Sequence, residues 1–478
     1  MDPSTAILIT LVAYKVGLVG LGLYARKKTS DGDDFFLGGR QLGPWVAALS
    51  ASASSSSAWT LLGVSGAAYR WGVSAVWLYP ACLAGFLFNW YVLAGPLRRW
   101  SHEHASVTVT DVCLPRGDRT AATARRFAAF IIVFSLTVYV ASQFQGAGKT
   151  FAKTFEVSEA SSIVIGAAIV LVYTLLGGFW AVSLTDTVQG FVMALACVVL
   201  PVAALTQCGG PWEIWNALSQ TETMTSFTRG FGPVAAIGFI AGTLGIGLGY
   251  PGQPHVVNRF MALRQGDREL RVGRRVAIGW ALIVYAGMLL LGWAGRALYP
   301  ELKDVESLFI HSANDLLPPV VAGVLLAAVL SAIMSTADSQ LLVAASAITH
   351  DAGVAGKENQ LSRSRWVVLG VAIVALGFAL FGTESIFKGV LFAWTAVGAA
   401  LAPSLIATVF WGRQASGRVL ASMAAGFLSA VLFYLVNRYP GWFAGVLGEK
   451  GFGEAGGGIE RVAPFVLSTI ALRPTRPR

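Results

Sequence analysis

Long apolar runs separated by short polar connections dominate the chain. Thirteen segments stand out, at about 6–25, 42–69, 74–96, 127–148, 161–181, 187–207, 232–251, 276–297, 317–345, 366–384, 388–412, 419–437 and 461–472. Most hold roughly 20 residues with few charges, the length an α-helix needs to cross a bilayer. The pattern predicts an all-α integral membrane protein with about 12–13 transmembrane helices. The last segment is weak: only Val462–Leu472 is apolar before Arg473, and Gly456–Glu460 would extend it poorly.

Two segments break down in matching ways. The second carries Ser50-Ala51-Ser52-Ala53-Ser54-Ser55-Ser56-Ser57, small hydroxyl residues where lipid would favour Leu and Ile. The seventh carries Gly242, Gly245, Gly247, Gly249 and Gly252, followed by Pro254. Irregular backbone at membrane depth survives only where it lines a cavity or is buried in protein. A pair of interrupted helices in corresponding halves points to a transporter's binding site.

Composition agrees: 55% of residues are apolar and 13% charged, about half the charge of a soluble protein. The formal charge of +10 does not imply nucleic-acid binding, because the basic residues are spread over short loops. On one side of the alternating loops fall 24 of the 35 Lys and Arg, including Arg40, Arg98, Arg125, Arg259 and the tail. That asymmetry predicts an outside N-terminus and a cytoplasmic C-terminus. The first span has no basic n-region and no cleavage site before Arg26, so it reads as a retained helix. No separate soluble domain is expected. Cys82, Cys113, Cys197 and Cys208 have no paired spacing, and a disulfide framework is not expected.

Charges at membrane depth mark pathways or pairs. Lys15 reads as a snorkelling or loop-contacting residue. Asp186 either caps the sixth span or takes part in ion binding or release. Ser335, Asp338 and Ser339 share a helical face by i, i+3, i+4 spacing, offering hard oxygen ligands to a hard cation. Alternatively, those hydroxyls bond back to their own helix. His102-Glu103-His104 reads as a solvated loop. Gly247-Leu248-Gly249-Tyr250-Pro251-Gly252 follows a membrane span, so its Gly-x-Gly-x-x-Gly spacing carries no dinucleotide meaning. Nothing suggests an enzyme. Trp71, Trp90, Trp100, Trp394 and Trp411 read as interfacial anchors.

Several motifs, in order, resemble the sodium/solute symporter family, and most closely its sodium/proline symporters. They are Phe36-Leu37-Gly38-Gly39-Arg40-Gln41-Leu42-Gly43, Ala48-Leu49-Ser50-Ala51, Gly177-Gly178-Phe179 through Asp186-Thr187-Val188-Gln189, Gly252-Gln253-Pro254-His255 through Met261-Ala262, and Met334-Ser335-Thr336 through Leu342. The resemblance implies an inverted five-helix-repeat (LeuT-like) fold in one transmembrane domain over 1–478. A leading helix at 6–25 would precede a first repeat at 42–207, a second at 232–412 and extra helices in 413–478. It implies a sodium site from the carbonyls of Ala53, Ser56 and Ala332 and the hydroxyls of Ser335 and Thr336. It implies solute contacts at Ser57, Ala58, Tyr139, Ile246, Tyr250 and Pro254. Arg40 and Ser55 are expected at coupling or gating positions. Asp186, Asp338 and Ser339 would form a second cation or proton site. Proline symporters carry Asp where this chain has Ser55, Trp where it has Ile246 and Gly where it has Ala58, so an ion-path carboxylate and an aromatic wall are absent here.

The implied activity is sodium-coupled symport of a small organic solute, proline or a related amino acid, across the cell inner membrane. Sodium would be co-transported, and the protein would be a monomer or weak oligomer in the bilayer with no nucleic-acid partner. Two alternatives remain open at this stage: a proton-coupled symporter, or a transporter-like sensor acting with a separate signalling partner.

Overall fold

The computed structural model describes residues 3–26, 37–176, 179–353, 360–382, 385–443, 452 and 456–473. Phe36, Gly177 and Gly178 of the quoted motifs lie outside the described residues, as do Lys27, Lys28, Lys357, Arg476 and Arg478 of the basic loops. Among the described residues the secondary structure is nearly all helical, and ten helices are long and apolar enough to cross a membrane.

The helices follow the apolar segments in order. Helix α1 (Pro3–Arg26) lies at the periphery. The second segment divides into α2 (Pro44–Ser55), a π-helical stretch at Trp59–Val64, and α3 (Ser65–Trp71). Past Gly72 come α4 (Leu78–Leu87) and α5 (Ala94–Glu103). Then follow α6 (Arg119–Phe155), α7 (Glu159–Leu176) and α8 (Phe179–Gln207). The seventh segment divides into α9 (Pro233–Leu244), a 3-10 stretch at Gly245–Gly252, and α10 (Pro254–Ala262). The remainder is α11 (Asp267–Leu298), α12 (Pro319–Ser346), α13 (Gln360–Phe381), α14 (Ile386–Trp411), α15 (Ser416–Arg438) and α16 (Gly456–Leu472).

The two interrupted helices sit inside the bundle. Residues Ala47 through Ser55 of α2 are all buried, packed among α8, α10, α11 and α12. Small side chains make that possible: they let α8 approach closely enough that a methyl on Gly190 would lie 3.2 Å from the Leu49 carbonyl. Helix α2 stops at Ser56, whose φ of −120° and ψ of 71° leave the helical region. The second interruption ends at Gln253, which is extended (φ −90°, ψ 100°) before Pro254 starts α10. Proline is tolerated there because the first N–H groups of a helix have no intrahelical partner.

The weak last segment is corrected by the structure. Gly456–Glu460 joins Val462–Leu472 in one helix of 17 residues. Its glycines pack directly on α9: a methyl on Gly242 would lie 2.4 Å from the Gly457 carbonyl oxygen. At 1.5 Å per residue α16 is about 25 Å long, a little short of a hydrocarbon core of roughly 30 Å.

Candidate functional site

The break after α2 exposes carbonyls that α12 meets with hydroxyls. Ser335 Oγ lies 3.3 Å from the Ala53 carbonyl and 3.3 Å from the Ala332 carbonyl. Thr336 Oγ1 donates to the Ser54 carbonyl at 3.1 Å. The Ser56 N–H bonds the Ala53 carbonyl at 3.2 Å, and its hydroxyl lies 3.4 Å from Tyr285 Oη. The five residues expected around sodium therefore cluster, with Ser335 at their centre and Thr336 on the Ser54 side. All these oxygens are neutral and hard, a donor set suited to a monovalent hard cation. Ser55 turns its hydroxyl back to the Ser52 carbonyl at 2.9 Å. Arg40, with φ of 57°, donates to the Ser106 carbonyl at 2.9 Å and to Ser101, so these bonds run to the last turn of α5 and the connection after it.

The expected solute residues also converge. Tyr139 Oη donates to Ser57 Oγ at 3.3 Å, and the Ala58 N–H donates to Gln143 Oε1 at 3.0 Å. Across from them, Tyr250 and Tyr285 share a hydroxyl hydrogen bond of 2.9 Å. Trp394 joins the two sides. Its Nε1 donates to the Ile246 carbonyl at 3.0 Å, its ring meets Tyr250 edge-on at 4.7 Å, and Tyr139 lies 6.4 Å away. Its own carbonyl accepts from Gln253 Nε2 at 2.9 Å. Pro254 stands at the far end of this break, at the start of α10.

Trp394 corrects the sequence reading. It is buried in the middle of α14, and Trp90 is buried as well, so neither is an interfacial anchor. An indole therefore does stand against Ile246, contributed by another helix. Gly249 makes room for it: an alanine methyl there would lie 2.1 Å from Trp394 Nε1. Gly249→Ala is expected to cost about 1–3 kcal/mol through overpacking. It should also lower solute affinity by displacing the ring. Thermal melts and uptake by the purified variant check this, and wild-type values in both would show that the ring moves aside freely.

A charged network lies beneath the sodium residues. Arg259 Nη2 pairs with Asp186 Oδ2 at 3.1 Å and donates to Ser339 Oγ at 2.6 Å, while Nε donates to Ser50 Oγ at 3.0 Å. A further bond runs to the His255 carbonyl. Asp186 Oδ2 also accepts from Ser50 at 2.7 Å and Ser54 at 3.2 Å. Both charges are buried. Two expectations change. Asp186 lies within α8, which begins at Phe179, so it is not a cap. Arg259 is a core residue, not a loop charge. Its guanidinium stands between Asp186 and Ser339, where a second cation was expected. Asp338 Oδ1 accepts its neighbour's N–H at 2.6 Å, while Oδ2 accepts no hydrogen bond among the described residues. Lys15 neither snorkels nor meets a loop: it faces Met334, one turn before Asp338 on α12.

The two ends of the bundle differ. A cavity of about 830 Å³ at one end of the bundle is lined by Gly66, Arg70, Lys149, Glu306, Ile386 and Phe387, among others. At the opposite end a gap beside Arg259 and Ser339 measures about 10 Å³. That end is tied by ion pairs from Arg125 to Asp111 at 2.7 Å and to Asp351 at 3.2 Å, with His350 on Asp111 at 2.7 Å. Burial alone would raise the Asp111 carboxyl, but His350 and Arg125 outweigh it and hold it below the usual carboxylate range. Arg125 and Lys149 lie on α6 about 36 Å apart by helical rise, so the open and tied ends are opposite.

Comparison with known proteins gives the same picture. Residues 35–426 match the family described as the sodium:solute symporter family. The osmoregulated proline transporter OpuE of Bacillus subtilis is 33% identical over 98% of this chain and 94% of its own length. The sodium/proline symporter of Escherichia coli is 34% identical over 94% of this chain and 93% of its own. Among solved structures, a sodium-coupled sialic acid symporter, substrate-bound and outward-open, superposes with a TM-score of 0.76 at 17% identity. It covers 99% of this chain and 98% of that one, a likeness of fold that places this chain in the inverted-repeat (LeuT-like) class. By a match that spans most of its length, this multi-pass membrane protein belongs to the sodium:solute symporter family.

Proposed function

We propose that the protein is a sodium-coupled secondary-active symporter that imports proline or a closely related amino acid. The observation that carries this reading is the continuity of the first break. Ala53 and Ser56, expected on sodium, run directly into Ser57 and Ala58, expected on solute. An ion that draws the Ala53 carbonyl and Ser335 together orders the same turn that the solute meets. Binding of either ligand then lowers the ordering cost for the other, and reciprocity requires each to raise the other's affinity by the same factor.

In this reading the 830 Å³ vestibule faces outside and the Arg125 ion pairs close the cytoplasmic end of an inner-membrane protein. The N-terminus lies outside and the C-terminus in the cytoplasm. The two halves, 42–207 and 232–412, act as the inverted repeats that rock about the site. One observation favours a second reading, proton coupling: Asp338 is a buried carboxylate with one oxygen accepting no hydrogen bond among the described residues. Proline uptake into proteoliposomes separates the two. A sodium gradient alone should drive accumulation and a pH gradient alone should not. Uptake under the pH gradient only would transfer the coupling to Asp338, and uptake under neither would defeat the symporter reading.

A further inference from the structure

We propose that Gln143 is a solute-binding residue, its side-chain amide donating hydrogen bonds to the carboxylate of the transported amino acid. The proposal rests on the reading of the first break as the solute site. Gln143 lies on α6 one helical turn beyond Tyr139, so both side chains leave the same face. Tyr139 reaches Ser57 and Gln143 reaches Ala58, neighbouring residues of the break.

The hydrogen bonds fix which way the amide points. Gln143 Oε1 accepts the Ala58 N–H at 3.0 Å, which leaves Nε2 directed elsewhere. That nitrogen is fully buried and has no hydrogen-bond partner among the described residues. A buried amide N–H₂ without acceptors is costly, so the position favours a ligand that brings acceptor oxygens. A backbone feature selects an anionic one. The helical run resumes at Ala58 and continues through Trp59–Val64 into α3, so its N-terminal end, with positive dipole character, sits at the same turn. The Trp59 N–H is spent on Ser57 Oγ at 3.1 Å and the Ala58 N–H on Gln143. The first N–H groups of the resumed helix are therefore already engaged. Trp59 Nε1 and Thr60 Oγ1 in the same run also lack partners among the described residues, but each offers a single donor, whereas the Gln143 Nε2 amide offers two. A carboxylate accepts both of them, and the solute's amine can face the carbonyls of the unwound turn.

Equilibrium binding to the purified full-length protein in sodium buffer tests this, with proline and prolinamide as probes. Gln143→Met removes the donors at nearly constant shape, and Gln143→Glu keeps the acceptor for the Ala58 N–H but replaces Nε2 by oxygen. Both variants should bind proline about tenfold to a hundredfold more weakly, the loss of a charge-assisted hydrogen bond. The Glu variant should also shift its preference towards prolinamide, whose amide can donate. A sodium-induced thermal shift confirms folding and an intact ion site, and if Gln143→Met does not fold, Gln143→Glu decides alone. A folded variant that keeps wild-type proline affinity and the wild-type preference between the two probes overturns the assignment of Gln143. Wild-type protein that binds no proline or related amino acid overturns the solute-site reading itself, and with it this proposal.

Discussion

Arg259→Met is expected to destabilise the protein by about 3–5 kcal/mol, the cost of breaking a buried ion pair from one side. The guanidinium serves Asp186, Ser339, Ser50 and the His255 carbonyl at once. Those partners belong to α8, α12, α2 and α10, so one side chain joins both interrupted helices to the core. Without it, Asp186 stays buried with only the Ser50 and Ser54 hydroxyls as donors. The deficit is an uncompensated charge, so removing that charge should restore stability. Arg259→Met with Asp186→Leu is therefore expected to melt closer to wild type than Arg259→Met alone. Arg259→Lys should fall between, because a point charge cannot reproduce a planar fork that meets several acceptors. Thermal melts of the purified variants measure all three. A single Met variant that melts like wild type would mean that water reaches the pair and the burial counts for little.

The sequence made some of this legible and hid the rest, for physical reasons. Hydropathy locates helices because crossing a membrane imposes length and apolarity on each segment separately. The breaks were legible for a similar reason: serines at 50–57 and glycines at 242–252 are local signals, and α2 does stop at Ser56. Contacts between distant segments carry no local trace. Ser335 and Ala53 are 282 residues apart, and only a family resemblance joined them in the sequence. Arg259 misled the loop count because Pro254–Ala262 is polar enough to look solvated, while its depth is set by packing against α2, α5 and α12. Asp186 resembled a cap because an apolar run follows it, yet α8 starts seven residues earlier. For Trp394 a usable signal existed: it stands well inside the apolar segment 388–412, where an interfacial anchor would not. Gln143 was likewise visible as a polar residue within the apolar segment 127–148, but averaging over the window concealed it.

The second large effect is expected at the ion site. Ser335→Ala together with Thr336→Ala should raise the sodium requirement for solute uptake at least about tenfold, roughly 1.4 kcal/mol. These are the only side-chain oxygens of the expected sodium set, and both sit on α12 facing the carbonyls of α2. The two should not contribute equally. Ser335 Oγ lies between the Ala53 and Ala332 carbonyls, whereas Thr336 Oγ1 reaches only the Ser54 carbonyl. Ser335→Ala should therefore weaken sodium binding more than Thr336→Val, which keeps the side-chain shape. Each hydroxyl also fastens α12 to α2 without any ion, worth about 0.5–1.5 kcal/mol apiece. A drop in melting temperature alone thus says nothing about sodium. What isolates the ion is the rise of stability with sodium concentration, which follows mass action and yields the dissociation constant directly. That constant should increase in the order wild type, Thr336→Val, Ser335→Ala, double variant. If the double variant keeps the wild-type constant, the ion does not bind between α2 and α12. If Thr336→Val is the more damaging single change, the site is centred one residue nearer Ser54, and the Ala332 carbonyl is no part of it.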